Sequence, residues 1–244
     1  MRMDGQARQV ENSFLPVDDG RIGLTGIVQD RAGGDEPGPA VILLHEIFGV
    51  NFAMREELVR LAGAGYLAVA PDLFHRQAPG VQLSYDPQER PMALALWQAF
   101  DTDQAVQDIE KVRAHVAADP RCDGRVAVVG FCLGGKLALL AGGRGGFAAV
   151  ISYYPVQMSD FPDALDSLST PTVIHMGDND VHVGPAAVSH LIEAAARNDS
   201  VDFRLYPGAA HAFANRHRLE EFDAVATTQS WERNFALLDQ SMSR

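Results

Sequence analysis

Short apolar runs alternate with amphipathic segments along most of the chain. The runs are rich in Val, Ile, Leu and Ala with little polar alternation, which is typical of strands buried on both faces of a parallel sheet. The segments between them have helical periodicity. The pattern therefore predicts an α/β fold, with a mostly parallel sheet and helices on both faces. The predicted strands cover 40–46, 66–71, 125–130, 148–154, 170–177 and 201–207, and the predicted helices cover 52–64, 91–98, 101–118, 133–142, 185–197 and 218–240.

The beginning of the chain has a different pattern. Residues 9–17 and 21–29 predict two short strands around the turn Asp18-Asp19-Gly20. We expect residues 1–30 to form an antiparallel edge of the sheet. No linker or internal repeat divides the sequence, so we expect one domain over residues 1–244, in which 75–98 is a lid-like connection.

Composition and charge narrow the possible partners. The chain has 244 residues, of which 47% are hydrophobic, so it can bury a sizeable core. Its formal net charge of -12 argues against sequence-independent binding to nucleic acid or to an anionic membrane surface. No apolar run approaches the ~20 residues that span a bilayer, and no signal-peptide core is visible near the first residue. We expect a cytoplasmic protein, and a monomer because no predicted helix has a conspicuously apolar outer face.

The residues that follow the buried strands should meet at one rim of the sheet, where ligands of such folds bind. After strand 125–130 comes Gly130-Phe131-Cys132-Leu133-Gly134, a G-x-C-x-G sequence at a strand-to-helix turn. This is the nucleophile-elbow pattern with Cys in place of Ser. The helix N-terminus behind Cys132 favours thiolate and offers backbone N–H groups to a developing oxyanion. A buried cysteine in a Gly-rich packing corner is the structural alternative.

Candidates for a base and its orienting acid follow two later strands, in the chain order expected for this fold. His211 lies in the loop after strand 201–207, and Asp178 and Asp180 follow strand 170–177. We favour Asp180 because the common loop form is G-x-x-D, and we expect Asp178 to cap the loop backbone.

A metal site is the alternative use of the same segment. His175, Asp178, Asp180 and His182 all carry atoms that bind transition metals. His175, however, should lie inside a buried strand and face away from the loop, and no second cluster supports a metal. We therefore expect no metal and no cofactor.

Several motifs together resemble those of one family. The chain is similar to the dienelactone hydrolases (carboxymethylenebutenolidases), which have an α/β-hydrolase fold and a Cys-His-Asp triad. The resemblance extends from about residue 40 to the end of the sequence. Its most specific parts are HEIFGVN (45–51), PDLFHRQAPG (71–80), LWQAFD (96–101), GFCLGG (130–135), HMGDND (175–180) and AHAFA (210–214).

The resemblance implies a role for each chemical group. Cys132 would be the nucleophile, His211 the base and Asp180 its orienting acid. Glu46 would be an extra carboxylate that takes the thiol proton when substrate binds. An ion pair between Glu46 and Arg55 or Arg90 is the structural alternative for this residue.

The oxyanion hole should be formed by backbone groups at the same rim. The loop after Glu46 would contribute the N–H of Ile47, and the elbow would contribute the N–H of Leu133. Cleavage would then proceed through a thioester acyl-enzyme.

Substrates of this family carry a carboxylate besides the lactone, and arginines bind it. By counting back from LWQAFD, Arg90 matches one of them and Leu94 matches an aromatic pocket residue. The position of the second arginine, four residues after His211, is Asn215, although Arg216 follows it. We therefore expect a small-molecule lactone or ester as substrate. The candidate substrate-binding residues are Arg90, Arg216, Asn215 and Leu94. A broader carboxylesterase or thioesterase and a non-catalytic redox-sensing member are the two alternatives.

Overall fold

The computed structural model describes residues 9–28 and 36–243. In these ranges, eight strands form a single sheet in the order β1-β2-β4-β3-β5-β6-β7-β8. Strands β3 to β8 are parallel to one another, whereas β1 and β2 run antiparallel and form the edge beside β4. The strands are β1 (Gln9–Val17), β2 (Gly20–Val28), β3 (Gly38–Leu44), β4 (Leu67–Pro71), β5 (Cys122–Phe131), β6 (Val150–Tyr153), β7 (Thr172–Gly177) and β8 (Val201–Tyr206).

Six α-helices in the described ranges connect and cover these strands. They are α1 (Phe52–Gly63), α2 (Arg90–Gln98), α3 (Thr102–Ala117), α4 (Leu133–Gly143), α5 (Pro185–Ala196) and α6 (Ala224–Met242), with one 3₁₀ turn at Met158–Asp160. None of them is both long and apolar enough to cross a membrane. The α/β prediction is confirmed, and the central strands are buried along their whole length, as their unbroken apolar runs indicated.

Two element boundaries differ from the prediction by three residues or more. Helix α6 begins at Ala224 rather than at 218, because the side chain of Asp223 accepts hydrogen bonds from the N–H groups of Val225 and Ala226 and so caps the helix there. Strand β5 begins at Cys122, three residues before the predicted start, and Cys122 is buried in it.

The topology of the sheet brings the candidate catalytic residues to one rim. Strand β5 lies between β3 and β6, and the two pairings are parallel. Because β3, β5, β7 and β8 all run in the same direction, the segments that follow them lie along one rim of the sheet.

Candidate active site

Cys132 lies between β5 and α4 in strained backbone geometry, with φ of 56° and ψ of -111°. A positive φ is unfavourable for a residue with a side chain, so the surrounding structure must hold it there. The flanking glycines explain how. A Cβ on Gly130 would lie 2.0 Å from the carbonyl oxygen of Gly134, and a Cβ on Gly134 would lie 2.2 Å from that of Leu44. Only glycine therefore permits the close approach of strand and helix that projects Cys132 at the rim.

Asp180 and His211 form a direct contact in the loops after β7 and β8. The Nδ1 of His211 lies 2.7 Å from Oδ2 of Asp180. The other oxygen of Asp180 accepts hydrogen bonds from the backbone N–H groups of His182 and Val183, at 2.8 and 3.0 Å, which fixes the carboxylate. Asp178 instead accepts from the N–H of Gly208 at 2.6 Å. Of the two candidate acids, Asp180 is thus the one that contacts the imidazole.

The electrostatics of His211 join it to Cys132. Burial alone lowers the pKa of this imidazole, but the charge of the neighbouring Cys132 and hydrogen bonds to Asp180 and Cys132 outweigh it and raise the pKa to about 10. A proton on His211 is thus stabilised when the adjacent sulfur is ionised. Cys132, His211 and Asp180 form one continuous chain of interacting groups.

Glu46 lies just beyond the end of β3 with a solvent exposure of 3%. Its Oε2 accepts hydrogen bonds from the hydroxyl of Tyr85 at 3.2 Å and from the side-chain amide of Asn215 at 3.4 Å. Its Oε1 is buried and has no hydrogen-bond partner among the described residues. Burial raises the pKa of Glu46, and the charges of His211 and Arg218 oppose that shift only in part. A carboxyl group held by neutral donors in this environment can carry a proton.

The ion pairs that were the alternative for Glu46 do not form among the described residues. Arg55 donates from Nε to the carbonyl of Val50, and Arg90 is exposed at the start of α2.

His45 orients the loop that carries Ile47. It is fully buried, its Nε2 accepts a hydrogen bond from the N–H of Leu73 at 3.0 Å, and its Nδ1 is hydrogen-bonded to the carbonyl of Glu46. Since C=O and N–H point in opposite directions across a trans peptide, fixing the Glu46 carbonyl also fixes the N–H of Ile47. Leu133 is the first residue of α4, so its N–H has no intrahelical acceptor.

The candidate substrate-binding residues are divided between two locations. Arg216 is exposed and reaches Glu56 at 3.7 Å, so the structure does not bring it to the site. Asn215 is buried and contacts both Glu46 and Tyr85. Leu94 lies half-buried in α2.

Arg218 is a cation that sequence reasoning missed. It is half-buried, ion-paired with Glu221, and its guanidinium lies 5.6 Å from the ring centre of Tyr85. Burial lowers the pKa of His182, and the positive charges of His211, Arg90 and Arg218 lower it further. The positive charges of Arg90 and Arg218 are therefore both felt at His182, whose ring contacts that of His211.

The residues proposed for a metal do not form a ligand set. His175 is fully buried, with Nδ1 on the hydroxyl of Tyr206 at 2.8 Å and Nε2 on the side-chain oxygen of Asn234 at 2.7 Å. Both of its ring nitrogens are thus occupied on the far side of β7. The described residues contain no group of three or more His, Cys, Asp or Glu side chains that could hold a metal ion.

Comparison with known proteins agrees with this geometry. Residues 26–242 match the Dienelactone hydrolase family. The chain is 38% identical to carboxymethylenebutenolidase 1 of Cupriavidus pinatubonensis, over 83% of this chain and 86% of that protein. It is 39% identical to the carboxymethylenebutenolidase of Pseudomonas putida, over 85% of this chain and 88% of that protein. The crystal structure of P91, a dienelactone hydrolase-like promiscuous phosphotriesterase from metagenomic libraries, has the same fold, with a TM-score of 0.77, 19% identity, and coverage of 98% of this chain and 100% of that one. The chain belongs to the dienelactone hydrolase family.

Proposed function

We propose that this protein is a cysteine-dependent hydrolase that opens the lactone ester of a dienelactone-like substrate through a thioester acyl-enzyme. The observation that carries the proposal is the strained elbow that presents Cys132 to the His211–Asp180 pair. The carboxymethylenebutenolidases to which the chain is similar support the choice of substrate class. No cofactor is needed for this chemistry.

Acylation begins when the sulfur of Cys132 attacks the lactone carbonyl carbon. The thiol proton passes to Glu46, and the tetrahedral oxyanion is held by the N–H groups of Ile47 and Leu133. Collapse of this intermediate breaks the ring C–O bond. The freed oxygen takes that proton from Glu46 and stays attached to the acyl chain, because the leaving group of a lactone is part of the same molecule.

Deacylation uses the same residues in the same positions. His211 takes a proton from water, the resulting hydroxide attacks the thioester carbonyl, and the thiolate of Cys132 leaves. Asp180 fixes the imidazole tautomer and stabilises the imidazolium. The proton on His211 then restores the thiol of Cys132, and the new carboxylic acid loses its proton to solvent, so the product carries one more carboxylate than the substrate.

Glu46 serves as the proton acceptor for the thiol in this proposal. Its raised pKa and its unpartnered Oε1 support a group that can hold a proton inside the site. Tyr85 and Asn215 position it without neutralising a charge, because both are neutral donors.

Arg90 and Arg218 are the cations that we propose to bind the substrate carboxylate. Both act electrostatically on His182 beside the imidazole, whereas Arg216 is paired with Glu56. Asn215 and Leu94, which occupy family positions of an arginine and an aromatic residue, favour a second candidate function. This is hydrolysis of a broader range of carboxylic esters or thioesters by the same residues.

Initial rates on a dienelactone and on a neutral lactone of the same ring size separate these two functions. We expect the anionic substrate to be preferred, the Cys132→Ala variant to be inactive, and Arg218→Gln to raise KM for the anionic substrate alone by about tenfold. Arg216→Gln is the matched control and should leave both rates unchanged. Equal rates on the two lactones would favour the broader esterase, and activity in Cys132→Ala would refute the nucleophile.

We also propose that the enzyme is a monomer that works in the cytoplasm. Light scattering on the purified protein tests the first part, since a dimer would double the mass of 26.4 kDa expected for one chain.

A further inference from the structure

A cavity of about 620 Å³ lies apart from the catalytic residues, between the β1–β2 edge, the start of α1 and the segment 79–82. Cys132, Asp180 and His211 do not line it. Its volume falls within the range of about 300–1,000 Å³ that is usual for small-molecule sites. The residues that matter for its chemistry are Phe14, Arg21, Arg55, Asp72, His75 and Val81.

The charge in this cavity is positive, although the chain as a whole is acidic. Arg21 and Arg55 both line it, and neither has a carboxylate within ion-pair distance among the described residues. Only the Nε of Arg55 is engaged, on the carbonyl of Val50 at 3.3 Å. Asp72 is the carboxylate in the lining, and both of its oxygens already accept hydrogen bonds, from the N–H of Phe74 at 3.0 Å and from the N–H of Gly80 at 2.7 Å. Two guanidinium groups thus remain available to an anion.

The cavity also has a surface suited to a ring. Phe14 is 56% exposed, and the guanidinium of Arg21 lies 4.1 Å from its ring centre. An aromatic ligand can stack on such a pair, since both members present flat faces. His75 also lines the cavity; its Nδ1 is hydrogen-bonded to the carbonyl of Asp72, whereas its buried Nε2 has no hydrogen bond among the described residues. This nitrogen lies 3.7 Å from Oδ2 of Asp108, so His75 contributes to the wall of the cavity and we assign it no contact with the ligand.

We propose that this cavity is a second binding site, which takes a small ring compound that carries a carboxylate. The planar fork of Arg55 holds the carboxylate, Phe14 and Arg21 contact the ring, and Val81 closes the apolar side. Val81 lies in the segment 79–82, which forms one wall of the cavity. That segment is tied to the loop after β3 by a bridge between Gly49 and Gln82 and by a hydrogen bond from the N–H of Leu83 to the carbonyl of Phe48 at 2.9 Å.

The test is calorimetric titration of 2-naphthoate into the Cys132→Ala variant, which keeps the result independent of turnover. 2-Naphthamide, a neutral compound of the same shape, is titrated alongside. We expect saturable binding of the acid and about tenfold weaker binding of the amide. The acid should also bind about tenfold more weakly to a protein that carries Arg55→Gln in addition to Cys132→Ala. Arg197→Gln is the control, because Arg197 is an exposed arginine paired with Asp166 on another part of the surface, and it should change nothing.

A second variant removes the space rather than the charge. Asn12 is exposed on β1, lines the cavity and lies two residues before Phe14, so its side chain is on the same face of the strand, and Asn12→Trp should fill the cavity and abolish binding without disturbing the core. In amide NMR spectra, addition of 2-naphthoate should shift the signals of Gly23 and Gly80 and leave that of Leu133 in place. Absence of saturable binding, equal affinity for acid and amide, or unchanged binding in Arg55→Gln and Asn12→Trp would overturn the proposal.

Discussion

Substitution of Gly134 by Ala tests how the elbow links the fold to the chemistry. The new Cβ would lie 2.2 Å from the carbonyl oxygen of Leu44 and 2.8 Å from that of His45. Ordinary carbon–oxygen contacts begin at about 3.3 Å, so the helix and the end of β3 must separate by roughly 1 Å. Overpacking of this kind destabilises a fold by about 1–3 kcal/mol. Because Leu44 and His45 lead directly into the loop with Glu46 and Ile47, the shift also moves the candidate oxyanion hole.

Urea denaturation and steady-state hydrolysis measure the two effects. We expect the free energy of unfolding to fall by about 1–3 kcal/mol. We expect kcat/KM to fall by about 10²-fold, since a displacement near 1 Å at a reacting centre has that effect. Gly184→Ala is the matched control, because a Cβ there meets nothing within 4 Å and the backbone needs no positive φ. If Gly134→Ala kept the stability and rate of the control, the close approach would not be what presents Cys132.

Two further predictions concern the acidic residues of the site. Asp180→Asn keeps an oxygen that accepts hydrogen bonds from the N–H groups of His182 and Val183, so the fold should change little. It lacks the carboxylate that accepts the hydrogen bond from Nδ1–H of His211, so kcat should fall by roughly 10⁴-fold. Asp178→Asn should keep full activity, because Asp178 contacts the N–H of Gly208 instead. Equal effects of the two substitutions on kcat would contradict this assignment. The pKa of Glu46 is raised in the folded protein above its ordinary value of 4.5, so its stabilising contribution is complete below that pH and is lost as the pH rises from there. Glu46→Gln does not titrate, and its free energy of unfolding should therefore improve relative to the unsubstituted protein as the pH rises above 4.5; parallel pH profiles in urea denaturation would contradict the burial argument.

The fold was largely predictable because each buried strand corresponds to an unbroken run of apolar residues. The start of α6 was not, since residues 218–222 continue a helix-like pattern and only the cap at Asp223 shows where the helix begins. Cys132, Asp180 and His211 could be proposed together because each follows a strand, and strand ends in a parallel sheet share one rim.

The surroundings of Glu46 could not be derived in this way. Tyr85 reaches it from a connecting segment with no periodic pattern, so nothing in the sequence sets the path of that segment. The choice between Arg216 and Arg218 depends on successive tight turns after His211. In these turns Ala212 has a positive φ of 63°, and the N–H of Arg218 bonds to the carbonyl of Asn215. Only their geometry decides which guanidinium faces the site.

Covalent catalysis by Cys132 is tested most directly by intact-protein mass spectrometry after rapid mixing with a dienelactone and acid quenching. We expect an adduct whose mass increase equals that of the whole lactone, because ring opening loses no leaving group, and peptide mapping should place it on Cys132. It should be absent from Cys132→Ala and should accumulate when deacylation is slowed in Asp180→Asn. Turnover by Cys132→Ala, or an adduct on any other residue, would contradict a cysteine nucleophile at this position.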